Sequence, residues 1–451
     1  MTTQKEKIAV IGAGIMGLTL AYRLLNRGYD VTLFEKDDRP GGMSASFDFD
    51  GLQIERFYHF FCKPDTPVFE LLKELDLDHR LTWKETKMGF FYEGKLYPWG
   101  NPFALMKFPG LGFISKLRFG LQVFLSIRRN KWDKLDGLTA AEWLKRFEGE
   151  KAYCVLWDSL LRLKFHGFKD AISAAWIWRR LRRVGVSRKN MLRETLAYLE
   201  GGVSKILETL EKKINAWGGK ILLNADVTYI DIDERKNRVT GVRVNGQVHG
   251  FDKVISTIPL PYIPQIAPGL PKELIEKYKR LDNVGVVCVI LKLTRSLTGN
   301  FWLNISDSNI DLPGIIEFSN LYPLEQKIVY FPFYLHRTHP WFSESDEFFT
   351  TKVVAYCKRI NKDFSGDWVL GQKVHRYEYA QPVCPPVFLD MLPPVKTSVT
   401  GLYIVDTSYY YPEDRSLSES IRAAQELARD IVFDDQEPFR ERVPGPPKAF
   451  D

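Results

Sequence analysis

Cysteine is scarce in this 451-residue chain. The five cysteines, Cys62, Cys154, Cys288, Cys357 and Cys384, stand singly, form no CxxC pair and are odd in number. A zinc site built on cysteine pairs and a disulfide framework are therefore both disfavoured, and we expect no metal. A reducing compartment such as the cytoplasm fits this pattern best.

Long uninterrupted apolar runs are also missing. No stretch reaches the roughly 18 consecutive apolar residues that a membrane-spanning helix needs. The opening residues, MTTQKEKIAVIGAG, lead directly into a predicted strand, without the charged region, apolar run and small-residue cleavage site of a signal peptide. We therefore expect neither a spanning helix nor a signal peptide, and we expect a cytoplasmic protein.

Charge is present in ordinary amount but is unevenly placed. Hydrophobic residues make up 45% and charged residues 26%, as in globular proteins, and the net charge is +7. Two groups of cations stand out: Lys116, Arg118, Arg128, Arg129, Lys131 and Lys134, then Arg179, Arg180, Arg182, Arg183, Arg188 and Arg193. Nucleic acid, acidic lipid headgroups and a phosphorylated substrate would each satisfy this charge, as would plain solvation of a surface.

The first clear motif is a strand, a glycine turn, a helix and a second strand over residues 7–36. In GAGIMG, Gly12 makes the tight turn, Gly14 admits a pyrophosphate, and Gly17 allows close packing of the helix. Glu35 ends the second strand, 23 residues after Gly12, where its carboxylate can accept hydrogen bonds from ribose hydroxyls. This order of elements predicts a Rossmann βαβ unit that binds a dinucleotide.

The next residues, RPGGMSAS, add an arginine and a second glycine pair after that unit. In this respect the chain resembles the flavin amine oxidase superfamily, in which GxGxxG, a glutamate and an Arg-x-Gly-Gly element bind FAD. The resemblance implies FAD as the cofactor. It implies a first FAD element made of Gly12, Gly14, Ile15, Met16, Gly17, Glu35, Lys36, Arg39, Gly41, Gly42, Met43 and Ser44.

Two later segments resemble the family's other FAD elements. NADVTYIDI is similar to the strand whose valine, here Val227, brackets the adenine, and KVISTIP is similar to the return strand that reaches Thr257 and Pro259. Near the C-terminus, GLYIVDTSYYYPEDRSLSESIRAAQELA resembles the family's last strand and helix. That similarity places Asp406 at the ribityl or pyrophosphate group and the N–H groups near Leu417 at the flavin pyrimidine.

The predicted fold class is therefore α/β, with a Rossmann-type FAD-binding domain and a second, α+β domain of mixed sheet and helices. The middle of the chain, from about Thr66 to Asn215, shows helical spacing and few strand signals. We predict a discontinuous FAD domain of residues 1–60, 198–260 and 395–433, a substrate domain of residues 61–197 and 261–394, and a mobile tail of residues 434–451.

Few residues outside the FAD elements are typical of catalysis. His59, in ERFYHFF, could line the flavin and shuttle a proton, although a hydrogen-bonded structural histidine is the alternative. His336 and His339 are spaced for a metal, but Pro340 follows and no acidic pair is near. Lys292 resembles the lysine that some amine oxidases direct at flavin N5, yet we do not predict it to be catalytic.

Within the superfamily, the chain looks most like protoporphyrinogen oxidase-like proteins, and more distantly like phytoene desaturases and UDP-galactopyranose mutase. This implies an FAD-dependent oxidoreductase that takes hydride from a hydrophobic or lipid-linked substrate. That substrate could also carry a phosphate group. One alternative is a redox-neutral flavoenzyme such as a UDP-sugar mutase. Another is a non-catalytic flavin-bound partner in a biosynthetic complex. We expect no nucleic-acid partner.

Residues 104–134 mix apolar and basic side chains: Phe113, Ile114, Leu117, Leu121, Phe124 and Leu125 alternate with Lys116, Arg118, Arg128 and Arg129. That combination is typical of a helix that lies in the interface of an anionic membrane. An amphipathic helix that covers the substrate domain would show the same pattern. Both interpretations stay open from the sequence.

Overall fold

The computed structural model of the chain describes residues 5–190 and 193–436. Its strands are β1 Lys7–Ile11, β2 Asp30–Phe34, β3 Ser46–Asp48, β4 Gln53–Glu55, β5 Leu81–Thr86, β6 Met88–Tyr92, β7 Lys95–Trp99, β8 Arg188–Asn190, β9 Arg193–Leu199, β10 Lys220–Leu222, β11 Val227–Asp233, β12 Arg238–Val244, β13 Gln247–Gly250, β14 Lys253–Ser256, β15 Asn283–Leu293, β16 Trp302–Ser306, β17 Gly314–Glu317, β18 Lys327–Leu335, β19 Val369–Pro382 and β20 Leu402–Ile404.

The α-helices are α1 Ile15–Leu25, α2 Thr66–Glu74, α3 Pro102–Lys107, α4 Phe113–Arg128, α5 Asp133–Asp136, α6 Ala140–Glu148, α7 Glu150–Tyr153, α8 Ser159–Phe165, α9 Ala174–Val186, α10 Ser204–Ala216, α11 Ile263–Ile266, α12 Lys272–Lys279, α13 Asp346–Ile360, α14 Phe388–Met391 and α15 Leu417–Gln436. A π-helical segment, Cys154–Asp158, leads into α8.

A parallel sheet of five strands, in the order β10-β2-β1-β14-β20, forms the first half of the molecule. The central strands β1 and β14 are almost wholly buried, as continuous apolar runs in parallel sheets are. Helix α1 packs between α10 and α15. The α/β fold class is confirmed, and because the sheet draws on three separate segments, its topology supports a discontinuous domain, whose boundaries stay a prediction.

A mixed sheet of seven strands, in the order β19-β15-β18-β17-β16-β6-β7, forms the second half. Strand β15 is buried along its whole length between β18 and β19. Helix α13 packs on β15 and β19, and helices α3 to α9 form a layer in which α4 contacts α6 and α9. This second sheet and its helices face a large cavity that lies between the two halves of the molecule.

The middle of the chain contains more strand than the sequence predicts. Between Thr66 and Asn215, where we expect few strands, β5 to β9 occur. The hairpin of β6 and β7 turns at Glu93 and Gly94, both with positive φ, as in a type I′ turn, and β6 then pairs with β16. The central residues of β6 are buried, and its pairing with the distant β16 could not be read from the local sequence pattern.

The C-terminal helix α15 runs to Gln436, slightly past the predicted start of the mobile tail at residue 434. Residues 437–451 of that predicted tail lie outside the described part of the chain. Among the residues that the structure describes, no helix combines the length and the apolar character needed to cross a membrane.

Candidate functional site

One cavity of ≈ 1940 Å³ runs between the two halves of the molecule. It is lined by residues of the parallel sheet at one end and by α4, α8 and α9 at the other. All but two of the predicted site residues line it, the exceptions being Gly17 and Arg39. Residues far apart in the sequence, such as Ser44, Val227 and Asp406, therefore share one space.

The glycine turn after β1 has the geometry that a dinucleotide requires. Gly12 has φ +95°, and a Cβ added to Gly17 would lie 2.0 Å from the carbonyl oxygen of Gly12. Gly17 therefore packs the helix against the turn and does not face the cavity. A Cβ on Gly14 would meet no atom within 4 Å, so the chain leaves open space beside the start of α1.

The second glycine pair lies against this first turn. The N–H of Gly41 donates to the carbonyl of Ala13 over 2.8 Å, and Gly14 and Gly41 form a parallel bridge. The first turn of α1 has no acidic residue and no capping side chain, so its N–H groups and the helix dipole are available to an anion. Two backbone loops thus form a cradle suited to a diphosphate.

Glu35 is buried and lines the cavity beside that cradle. One carboxylate oxygen accepts the N–H of Ala13 at 2.8 Å, and the other accepts the N–H of Asp37 at 3.0 Å. Each ionised oxygen keeps a further lone pair for a ribose hydroxyl. The two backbone donors fix the orientation of the carboxylate at the cavity wall.

The neighbouring cations of the first FAD element have separate contacts. Lys36 lies 5.0 Å over the ring of Tyr262 at the cavity wall. The guanidinium of Arg39 donates to Asp38 at 2.7 Å and to the carbonyl of Ser46 at 3.0 Å. Arg39 therefore ties its own loop together and lies outside the cavity lining.

The other two FAD segments close the cradle. Thr257 donates from its hydroxyl to the carbonyl of Ile11 at 2.9 Å. Asp406 accepts the N–H groups of Leu260 at 2.9 Å and Ser408 at 2.8 Å, while burial raises the pKa of its carboxyl. Val227, Pro259 and Leu417 line the same cavity. The carboxyl ends of β1, β14 and β20 thus meet at one edge, as ligand sites in parallel sheets do.

His59 lies near Met43 and Ser44 in the middle of the cavity. Its Nε2 is 3.4 Å from the Ser44 hydroxyl, and its buried Nδ1 has no partner among the described residues. Burial, with a contribution from the nearby Arg415, lowers the pKa of the imidazole to about 4. The ring is therefore neutral near pH 7.

The cavity also contains a group of charged residues, between the cofactor elements and the helical layer, that the sequence did not single out as a site. Asp414 accepts from Arg180 at 3.0 Å, and the ammonium of Lys164 is 3.9 Å from the same carboxylate. Arg415 donates to the Tyr334 hydroxyl at 3.3 Å. The arginine group on α9 was the only sequence signal for this cluster, because Lys164, Asp414 and Arg415 belong to other segments.

Beyond this cluster the cavity becomes apolar. Its walls there come from β6, β7, α3, α4, the π-helical segment, α8 and α9, and include Phe90, Trp99, Leu105, Phe119, Ile127, Leu156, Trp157, Leu160 and Leu181. The walls of this apolar chamber leave space for an elongated hydrocarbon group between the sheet and the helical layer. No predicted site residue belongs to it.

Helix α4 carries exposed apolar side chains at the mouth of the chamber. The α3–α4 apolar face consists of Phe103, Met106, Phe113, Ile114, Leu117, Leu121, Phe124 and Leu125. Phe113 is 62% exposed and Ile114 71% exposed, whereas Leu117, Leu121 and Phe124 also line the cavity. The exposed face and the chamber are therefore continuous.

Two further candidates from the sequence lie elsewhere. The ammonium of Lys292 donates to the carbonyl of Phe49 at 2.9 Å and is outside the cavity lining. His336 contacts Thr338 at 2.7 Å, and His339 accepts the N–H of Trp341 at 3.1 Å. Neither histidine has a role at the cavity.

Together, the parallel sheet and the glycine cradle define a dinucleotide-binding flavoprotein. The chain belongs to the flavin containing amine oxidoreductase family, whose sequence model matches residues 15–427. FAD is accordingly its cofactor, and the cradle, Glu35 and Asp406 fit that group.

Known proteins of several activities are similar to the chain. The 15-cis-phytoene desaturase of Synechococcus elongatus is 24% identical over 321 residues, which cover 65% of this chain and 66% of that protein. A putative protoporphyrinogen oxidase from Exiguobacterium has a similar structure, with a TM-score of 0.72, 17% identity and coverage of 96% and 100% of the two chains. Reduced UDP-galactopyranose mutase gives a TM-score of 0.73, 17% identity and coverage of 96% and 97%. The matched part spans just under two thirds of that desaturase and about half to three fifths of several related desaturases.

Proposed function

We propose that the chain is an FAD-dependent oxidoreductase that takes hydride from a hydrophobic substrate. The observation that carries this proposal is the continuity of one cavity from the glycine cradle to the apolar chamber. Bound FAD supplies the flavin N5 that accepts hydride. An apolar substrate in the chamber would extend toward Met43, Ser44 and His59, beside which we place the flavin ring.

The chain's own residues bind the cofactor and orient the substrate. Backbone N–H groups at the start of α1 hold the diphosphate, Glu35 and Asp406 hold hydroxyl groups, and the N-terminus of α15 near Leu417 stabilises negative charge at the pyrimidine end. The apolar walls exclude water from the reacting carbon. We keep His59, neutral and with one free ring nitrogen, as the proposed proton acceptor.

Anaerobic stopped-flow reduction tests this function. The FAD-loaded protein is mixed with candidate isoprenoid, carotenoid and porphyrinogen substrates while flavin absorbance is recorded. We expect a substrate of one of these classes to bleach the flavin, and His59→Gln to slow bleaching while FAD stays bound. Failure of every such substrate to reduce the flavin would refute the proposal.

A redox-neutral reaction is the second candidate, because the similarity to reduced UDP-galactopyranose mutase covers nearly the whole chain. Turnover of a sugar nucleotide only after dithionite reduction would favour it. A flavin-bound protein that neither reduces with substrate nor turns over after reduction would instead be a non-catalytic partner. These outcomes are distinct from that of the stopped-flow experiment.

We also propose that the α3–α4 apolar face attaches the protein to an anionic membrane, at its cytoplasmic side. The face is highly exposed, it adjoins the mouth of the chamber, and Lys116, Arg128 and Arg129 lie beside it. Buried apolar side chains would supply insertion energy, and each basic residue would add about 1 kcal/mol near anionic lipid. A hydrophobic substrate would then enter directly from the lipid.

Co-sedimentation with phosphatidylglycerol vesicles at low salt tests the attachment. We expect the wild-type protein to bind and the double variant Phe113→Glu with Phe124→Glu to lose binding. A matched control, Val248→Glu with Leu370→Glu, changes exposed apolar residues elsewhere and should bind like the wild type. Equal binding of both double variants would contradict the proposal.

A further inference from the structure

Two cations contact one largely buried carboxylate in the cavity, and the charge of a third acts on it. Arg180 of α9 lies 3.0 Å from Asp414, and Lys164 of α8 lies 3.9 Å from it. The backbone N–H of Arg415 donates to the Asp414 carboxylate over 3.0 Å, while its guanidinium points to other partners and acts on Asp414 through its charge alone. Lys164 is only 3% exposed. We call these four residues the Asp414 cluster.

The cluster has more positive than negative charge. Two neighbouring arginines of α9 have carboxylate partners of their own, since Arg179 pairs with Glu413 and Arg183 with Asp65, and Arg182 donates to the neutral side chain of Asn130. Among the described residues, the Arg415 guanidinium has no carboxylate partner within 4.0 Å and donates instead to neutral oxygens, the Ala380 carbonyl and the Tyr334 hydroxyl. One carboxylate therefore faces three cationic side chains.

The pKa shifts of Asp414 and Lys164 agree with an excess of positive charge in the cluster. Burial opposes ionisation of Asp414, yet Lys164, Arg180 and Arg415 hold the pKa of its carboxyl at about 2. Burial also lowers the pKa of Lys164 well below its usual value; Asp414 acts against this shift, and the two arginines add to it. Buried positive charge without a partner is costly, so an added anion would be favourable here.

The position of the cluster connects it to the reaction. All four residues line the cavity, and the guanidinium of Arg415 lies 3.8 Å from the sulfur of Met43 in the first FAD element. The apolar chamber begins on the other side, at Leu160. Rigid rings hold the cations in place, with Lys164 4.7 Å over Trp176.

We propose that Arg415, Arg180 and Lys164 form a subsite for an anionic group of the substrate, a phosphate or a carboxylate. The substrate is then an amphiphile whose hydrocarbon part occupies the apolar chamber and whose anionic group is held beside the flavin. This inference rests on the proposed function. Guanidinium groups suit such a subsite because they can bind two oxygens of one phosphate or carboxylate.

Isothermal titration of the FAD-loaded protein tests the subsite without turnover. The probes are decyl phosphate, decanoate and decanol, each below its micelle-forming concentration. We expect the wild-type protein to bind at least one of the two anionic probes at least tenfold more tightly than decanol, and the stronger of the two identifies the anion. Equal affinity for all three probes would overturn the subsite.

Variants assign the effect to the cluster. Arg415→Gln and Arg180→Gln should each weaken binding of the anionic probe on the order of 10- to 100-fold, and leave decanol unchanged. Asp414→Asn should strengthen anion binding, since it removes the competing carboxylate. Arg182→Gln, on the same helix but outside the cavity lining, is the matched control and should bind like the wild type.

Retention of FAD is measured for each variant, and Arg180→Gln carries the test if Arg415→Gln loses the cofactor. Unchanged anion binding in the variant that retains FAD, even with an altered flavin reduction potential, would overturn the proposal. Selective anion binding by a protein whose flavin no substrate reduces would uphold the subsite and refute only the proposed function.

Discussion

The two ends of the cavity are built in different ways. At the predicted cofactor end, two glycine-containing loops within Gly12 to Ser44 contact each other through their main chains and line the cavity. At the substrate end, side chains from α4, α8, α9, β18 and the loop before α15 form the walls. A site made of turns follows from local sequence, whereas a site made of distant side chains follows from the whole fold. The ends should therefore respond differently to substitution.

The largest effect should come from Gly17, because its neighbourhood leaves no room for a side chain. A Cβ there would lie 2.0 Å from the backbone oxygen of Gly12. We expect Gly17→Ala to destabilise the protein by about 4 kcal/mol or more, as measured by urea unfolding without FAD. Gly366→Ala, where a Cβ would meet no atom within 4 Å, is the control. Similar unfolding midpoints for the two variants would show that the turn is looser than described.

A smaller effect at the same end should come from Glu35. Removing its carboxylate in Glu35→Ala should weaken FAD binding by about 1.5–3 kcal/mol, because ionised hydrogen bonds to the ribose are lost. Glu35→Gln should weaken it less, and Asp38→Ala, a carboxylate outside the cavity lining, should leave it unchanged. Fluorescence titration of the apoprotein with FAD measures all three. Wild-type affinity in Glu35→Ala would remove this residue from the site.

Near the apolar chamber, a buried carboxyl group should make the stability of the protein depend on pH. Glu148 of α6 accepts from Trp157 of the chamber wall over 2.8 Å, and burial raises the pKa of its carboxyl to about 8. Because the pKa of this carboxyl is higher in the folded than in the unfolded protein, its protonated form favours the folded state. This contribution is fully present below the pKa of the unfolded protein. This stabilisation is lost as the pH rises through about 8.

Glu148→Gln keeps an oxygen for Trp157 and does not ionise. We therefore expect the wild-type protein to lose stability relative to this variant as the pH rises from about 5 to about 8, by a few kcal/mol at most, with no further relative loss above that range. Glu150→Gln, at a neighbouring exposed carboxylate, serves as the control. If the melting temperatures of the wild type and of Glu148→Gln changed equally with pH across that range, the raised pKa of Glu148 would be contradicted.

The same contrast explains what could be predicted from the sequence. The βαβ unit was readable because its glycines and Glu35 are adjacent in the chain and each has a steric or hydrogen-bonding reason to be there. The Asp414 cluster was not readable, since Lys164 and Arg415 meet only after α8 and the C-terminal segment pack together. Arg39 was assigned to the cofactor from its motif; its side chain donates to Asp38 and to the Ser46 carbonyl, and its part in cofactor binding stays a prediction.

The strand order of the parallel sheet has a consequence for synthesis of the protein. Strand β14 separates β1 from β20, and Asp406 follows β20 at the edge that Gly12 also occupies. A nascent chain therefore carries its glycine turn long before the last strand and α15 have left the ribosome. The edge of the sheet that carries Gly12, Thr257 and Asp406 is therefore complete only after nearly the whole chain has been synthesised.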